Sequence, residues 1–165
     1  MSELKALSKE AIPAALEKAM RYRLLNEPGE AESICLDILK ADPENQEAIM
    51  LLLLALTDRF EKGYGVSDTQ VKELLARIHS EYERAYYAGI FAERRAKAKL
   101  AQGNPGCNFQ AYDGFREAMH WFEKAEAIRP PGNDDALLRW NTCARMIAKN
   151  KLVPDVEEKI EYPLE

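Results

Sequence analysis

Few side chains in this sequence could do chemistry, and their spacing matches no catalytic or metal-binding motif. His79 and His120 stand 41 positions apart, and neither has an acidic or cysteine partner at the spacing of metal ligands. The sequence also lacks glycine-rich phosphate loops, the zinc-protease helix motif and the nucleophile elbow of hydrolases. Gly63 and Gly65 are better explained by a turn between helices than by a phosphate site. We therefore expect no metal, no cofactor and no enzymatic activity.

The three cysteines, Cys35, Cys107 and Cys143, are odd in number and widely separated. This pattern fits neither a disulfide framework nor a paired-cysteine metal or redox motif, so we expect reduced thiols. Cys107 lies in a loop rich in glycine and proline at residues 103–108, which predicts an exposed thiol. Because no histidine adjoins it, we expect that thiol to be inert.

Four basic residues fall within six positions: Arg94, Arg95, Lys97 and Lys99. They could form a patch for an acidic partner. The favoured explanation is that they occupy the last turns of a helix, where cations complement the negative end of the helix dipole.

A cluster of aromatic residues precedes them, mostly at helical i to i+4 spacing. A stripe of this kind is usually part of a core. The small residues between them already supply core positions, so some aromatic rings are expected to point to another surface. The cluster comprises Tyr82, Tyr86, Tyr87 and Phe91.

Composition favours one all-helical domain. The chain has 165 residues, 47% of them hydrophobic and 31% charged, with few β-branched residues to support strands. The net charge of -5 argues against nucleic acid as a partner, since such surfaces need clustered cations. The longest apolar run, at 48–56, is far short of the roughly 20 residues of a membrane span. Residues 1–21 lack the apolar core of a signal peptide, which favours a cytoplasmic location.

A repeat motif is clearest late in the chain, in the segment AMHWFEKAEAIRP. Ala118, Phe122, Ala125 and Pro130 have the spacing of the second half of a tetratricopeptide repeat (TPR), and the segment resembles that family. The small residues would let antiparallel helices approach closely, and the proline would end the helix.

The N-terminal part resembles the same family less closely. A turn is predicted at Asn26 to Gly29, between the two helices of the first repeat, and the segment 41–45 resembles the usual TPR ending. The corresponding positions, four of which carry the residue type that the family prefers, are Ala15, Ala19, Tyr22, Ala31, Cys35, Ile38 and Pro43.

The spacing between the two matches predicts insertions. Pro43 and Pro130 are 87 residues apart, whereas two further repeats would need about 68. One insertion is predicted in the loop 61–66, before a helix start at Ser67. The larger one lengthens the third hairpin. A final helix at 134–149, with Leu137, Trp140, Ala144 and Ile147 on its apolar stripe, is expected to cap the stack.

The resemblance implies an all-α, right-handed superhelix of about three antiparallel helix pairs with a C-terminal capping helix. It would span residues 1–150, followed by an acidic tail at 151–165 of a composition that usually lacks its own structure. In TPR proteins, side chains from the first helix of each pair line a concave groove. The corresponding positions here are Leu16, Met20, Arg23, Met50, Leu54, Thr57, Tyr86, Ile90 and Arg94.

These positions are mostly apolar, unlike the Lys, Asn and Arg set of TPRs that clamp a carboxylate. The resemblance therefore implies an adaptor or scaffold that binds a protein, as a peptide or a helix, in an apolar groove. Two alternatives stay open. One is self-association through the groove, giving a homo-oligomer. The other is a role like that of the small TPR chaperones of bacterial secretion systems, which are similar in size.

Overall fold

The structure, a computed structural model, describes residues 1–62 and 66–156. All regular secondary structure in these two ranges is helical, which confirms the all-α prediction for them. Besides short 3-10 turns at Lys9–Ala11 and Phe60–Lys62, the chain forms α1 (Ile12–Leu24), α2 (Pro28–Ala41), α3 (Gln46–Thr57), α4 (Asp68–Ala76), α5 (Glu81–Gln102), α6 (Cys107–Ala127) and α7 (Asp135–Lys149). The predicted Gly63 and Gly65 turn and most of the predicted acidic tail lie outside the described residues.

The turn between α1 and α2 forms where the sequence predicts it. Asn26 adopts a left-handed backbone with φ of 62°. Its N–H donates to the Arg23 carbonyl at 3.0 Å, and the Glu27 N–H donates to the Tyr22 carbonyl at 2.9 Å. These two bonds satisfy carbonyls that the helix end leaves free. Pro28 then occupies the first turn of α2, where its missing N–H costs nothing.

Polar side chains set the starts of three later helices. Asn45 caps α3 by accepting from the Ala48 N–H at 3.0 Å. Ser67 caps α4 as predicted, accepting from Thr69, and Ser80 caps α5, a helix start that sequence analysis did not single out. Each cap fixes the position at which its helix begins.

The helices stack in chain order. Each helix from α1 to α7 packs against the next, and α1 and α5 both contact α3. The helices α1, α3 and α5 therefore lie side by side in one layer, with α2, α4 and α6 packed against them. The interior comprises two apolar clusters, one centred on α1 to α4 and the other on α5 to α7, and Tyr87 packs against both.

The α5–α6 hairpin is the longest in the structure, as predicted, with helices of 22 and 21 residues. Its two helices approach closely at small residues. A Cβ atom added to Gly89 would lie 2.5 Å from the Phe122 ring, and one added to Gly114 would lie 2.8 Å from the Ala96 Cβ. The expected exposure of Cys107 is wrong. The loop is shorter than predicted, so α6 begins at Cys107 and its thiol is buried.

The C-terminal helix forms as predicted, but the residues it buries differ. Ala136 and Cys143 are fully buried, whereas the predicted apolar stripe is only partly buried. The packing continues beyond residue 150, because Lys151 turns the chain with φ of 52° and Leu152 packs into the second cluster. No helix in the two described ranges is long and apolar enough to span a bilayer.

Candidate functional site

An apolar groove runs between α1 and α3, with its floor reaching α5. Its volume is about 770 Å³, within the range of ligand-binding clefts. Leu16 and Met20 contribute from α1, and Met50 and Leu54 contribute from α3. These four are among the nine positions that the TPR resemblance predicted. Each pair is spaced by four residues, so each projects from one helical face.

Met20 is the most exposed of these apolar side chains, at 54%. An unbranched thioether in this position can adapt to ligands of different shape. Tyr87 of α5 completes the floor. Burial is the main cause that raises the pKa of Tyr87 to about 12, so its phenol stays neutral at physiological pH.

Tyr86, predicted for the groove, does not line it. Its ring stacks on Tyr82 with centroids 6.1 Å apart and contacts Phe122 at 5.8 Å, within the second cluster. Successive residues on a helix point about 100° apart, so a register error of one residue exchanges Tyr86 for Tyr87. The aromatic cluster is therefore divided between core and groove.

Ile90 and Thr57 were also predicted for the groove, and both are buried. Ile90 belongs to the second apolar cluster. The Thr57 hydroxyl donates to the Leu53 carbonyl at 2.9 Å. Neither side chain is accessible to a ligand.

Arg23 and Arg94, the last two predicted positions, converge on Asp58 just beyond the end of α3. Arg23 Nε lies 2.7 Å from Asp58 Oδ2, and Arg94 Nη1 lies 2.6 Å from Oδ1. Arg94 also donates to the Leu54 carbonyl and to the Thr57 hydroxyl, each at 2.9 Å. Burial lowers the pKa of Arg94, and the Asp58 carboxylate opposes that change. Both guanidinium groups thus tie α1 and α5 to the end of α3.

A second charged cluster, missed by sequence analysis, lies next to this one along the same helix. Glu93 is 0% exposed and accepts from Arg139 of α7. Lys97 Nζ lies 3.7 Å from the same carboxylate, and the Cys143 thiol donates to it at 3.8 Å. The only sequence signal was an acidic residue directly before the basic run.

The explanation of the basic run by the helix dipole is wrong for three of its four members. Because α5 continues to Gln102, only Lys99 falls in its last turn. Arg94 and Lys97 face carboxylates, and Arg95 pairs with Asp68 while its guanidinium lies 3.9 Å from the Phe60 ring centre. The two arginines connect α5 to neighbouring segments, whereas Lys97 pairs with Glu93 within α5.

The remaining reactive side chains do not assemble into a site. His79 lies 3.0 Å from Glu44 at the surface, and His120 is exposed. Among the described residues, no group of three or more potential ligands could hold a metal. Burial raises the pKa of the Cys35 and Cys143 thiols to about 12, so they stay protonated and unreactive at neutral pH.

The groove is therefore the feature best suited to a ligand. Its walls are apolar, and its rim includes the carboxylates of Glu17 and Glu47. Such an arrangement can bury apolar side chains of another molecule. No known protein-family model matches the chain, and no curated protein or solved structure matches it significantly.

Proposed function

We propose that this chain is a TPR-type superhelix that acts as a protein-interaction module, binding a peptide or a helix in the groove between α1 and α3. Two features support the TPR-type arrangement. The layer of α1, α3 and α5 backed by even-numbered helices is the packing expected of stacked helix pairs. Ala118, Phe122 and Ala125, which match the repeat motif, are all fully buried.

The observation that carries the functional proposal is the apolar character of an open groove. Leu16, Met20, Met50 and Leu54 form walls around about 770 Å³ that a ligand could fill. Burial of each leucine-sized side chain contributes about 1.5–3 kcal/mol. Two or three such side chains contribute about 3–9 kcal/mol in total, and the cost of association offsets most of this, so weak and reversible binding is expected. The proposed setting is the cytoplasm, where the free thiols would remain reduced.

Peptide selection with matched variants tests this proposal. Peptides selected from a random displayed library against the wild-type protein are synthesised, and their affinities are measured by fluorescence anisotropy. Met20→Gln keeps the shape of the side chain but puts an amide into the apolar contact, so we expect about tenfold weaker binding. Leu36→Gln is the control, because Leu36 is 52% exposed on α2, away from the groove. Equal affinities for both variants, or no selected peptide at all, would contradict the proposal.

Self-association is the second candidate. Leu24 and Leu25, at the end of α1, are exposed beyond the groove wall. Together with Met20 they could form an apolar contact between two copies. Sedimentation over a range of concentrations separates the two candidates: a monomer favours the adaptor, and a dimer broken by Met20→Gln favours self-association.

A further inference from the structure

The charged side chains that line the groove are both acidic, one on each wall. Glu17 belongs to α1 and Glu47 belongs to α3. Both are exposed, and neither forms an ion pair or a side-chain hydrogen bond with any residue the structure describes. The rim therefore presents uncompensated negative charge to whatever occupies the groove.

A role in stabilising its own helix explains one of these two carboxylates but not the other. Glu47 lies in the first turn of α3, where an acid is favoured by the helix dipole. Glu17, in contrast, lies in the middle of α1. Arg21, one turn further along, has the favourable spacing for an ion pair with Glu17 but does not form one. Glu17 thus contributes charge to the groove without stabilising its own helix.

Charge of the other sign lies beyond the Leu54 end of the groove. Beyond Leu54, the single carboxylate of Asp58 faces the two guanidinium groups of Arg23 and Arg94. Two cations around one anion leave an excess of one positive charge there. Negative charge therefore lies along the walls of the groove, at Glu17 and Glu47, and positive charge lies beyond its Leu54 end.

We infer that the partner is a segment with apolar side chains and at least one Lys or Arg that lies beside Glu17 or Glu47. This inference rests on the proposed function and specifies the class of ligand. The apolar side chains fill the groove, while the basic side chain faces an unpaired carboxylate on its wall. A second copy of the chain, with a net charge of -5, suits this rim poorly.

The test is a reversal of specificity. A random library of displayed peptides is selected separately against the wild-type protein and against the Glu17→Lys, Glu47→Lys double variant. The control double variant is Glu30→Lys, Glu73→Lys, which changes two exposed acidic residues outside the groove and alters net charge equally. Synthetic forms of the selected peptides are then compared by fluorescence anisotropy at low and high salt.

Peptides selected on the wild type should combine apolar residues with an excess of Lys or Arg. Each exposed ion pair contributes modestly to the free energy of binding. Loss of both pairs should therefore lower the affinity of the groove double variant about tenfold. High salt should reduce this difference by screening. The groove variant should itself select peptides with acidic residues, and the control variant should keep the preference of the wild type.

The outcomes separate this inference from the proposed function. Peptides that lose affinity on Met20→Gln but bind the groove double variant as tightly as the wild type would overturn the inference and leave the groove assignment intact. An absence of basic residues among such peptides would overturn it as well. If Met20→Gln weakens none of the selected peptides, the groove assignment fails and the inference fails with it. Circular dichroism of each variant verifies that the helices are retained.

Discussion

Replacement of Gly89 by Ala tests the packing of the long hairpin. The added Cβ would lie 2.5, 2.7 and 2.9 Å from three carbon atoms of the Phe122 ring, all closer than real contacts allow. The ring is fully buried and has little freedom to move, because it packs against Tyr86. The methyl group therefore forces either the ring or α6 to shift.

Two opposing effects set the size of the change. Overpacking of a core costs about 1–3 kcal/mol, whereas alanine is favoured over glycine inside a helix by about 1 kcal/mol. We expect the free energy of unfolding to fall by about 1 kcal/mol, which lowers the melting temperature by about 2–4 °C for a chain of this size. Urea unfolding followed by circular dichroism measures the change directly.

Gly29→Ala is the matched control and should have the opposite sign. Its Cβ would meet only the end of the flexible Arg59 side chain, at 3.2 Å, so the gain in helix propensity should dominate. In a Phe122→Leu background the overpacking should disappear and only the gain in helix propensity should remain, so Gly89→Ala should stabilise by about 1 kcal/mol, with a coupling energy of about 2 kcal/mol in the double-mutant cycle. A Gly89→Ala protein as stable as Gly29→Ala, together with zero coupling, would refute the packing of Gly89 on Phe122.

The buried ionisable side chains give two further predictions, one for an ion pair and one for two thiols. Arg139→Met should cost about 3 kcal/mol in urea unfolding, because it leaves the buried Glu93 carboxylate with only the longer contacts to Lys97 and to the Cys143 thiol. Glu93→Gln should cost less, about 1 kcal/mol, since the Arg139 side chain is already 31% exposed and can reach water; equal losses would contradict this. Burial raises the pKa of the Cys35 and Cys143 thiols from near 9 to about 12, so only the unfolded chain loses these protons in that window. The free energy of unfolding should therefore fall as pH rises above about 9, by about 1.4 kcal/mol per pH unit per thiol. Cys143→Ala should make that decline shallower in urea titrations at several pH values, and an unchanged slope would contradict the assignment.

Local sequence signals predicted the helices better than they predicted the packing. The turn at Asn26 to Gly29, the start near Ser67 and the end near Asn150 all depend on residues close in sequence, and the structure has each of them. Ser80 was missed because it follows a short helix that no repeat motif placed. Cys107 was misplaced because a loop rich in glycine and proline looks longer in sequence than the four residues between α5 and α6. Burial at a helix boundary depends on the partner helix, which composition cannot specify.

The groove was predicted only in part, because the residues that line it depend on the register of each helix. Leu16, Met20, Met50 and Leu54 lie on α1 and α3, where the repeat pattern is anchored by a nearby turn and a nearby cap. On α5 the register was inferred from small residues alone, and such residues can pack into the core from more than one face of a helix. The prediction consequently chose Tyr86 in place of Tyr87 and included the buried Ile90.

The roles of the charged residues could not be predicted from the sequence. A charged residue gives the same sequence signal whether its partner belongs to the same molecule or to a ligand. Arg94 was a candidate ligand-binding residue, yet its guanidinium is occupied by Asp58, Thr57 and the Leu54 carbonyl. Glu17 attracted no interest in the sequence, yet it lines the groove with no partner among the described residues. A charge that is already compensated by its own fold adds little to recognition, whereas an uncompensated one on an apolar rim can select among ligands. The residues that discriminate partners in this groove are therefore expected to be its unpaired acids, and not the arginines that lie nearest to its end.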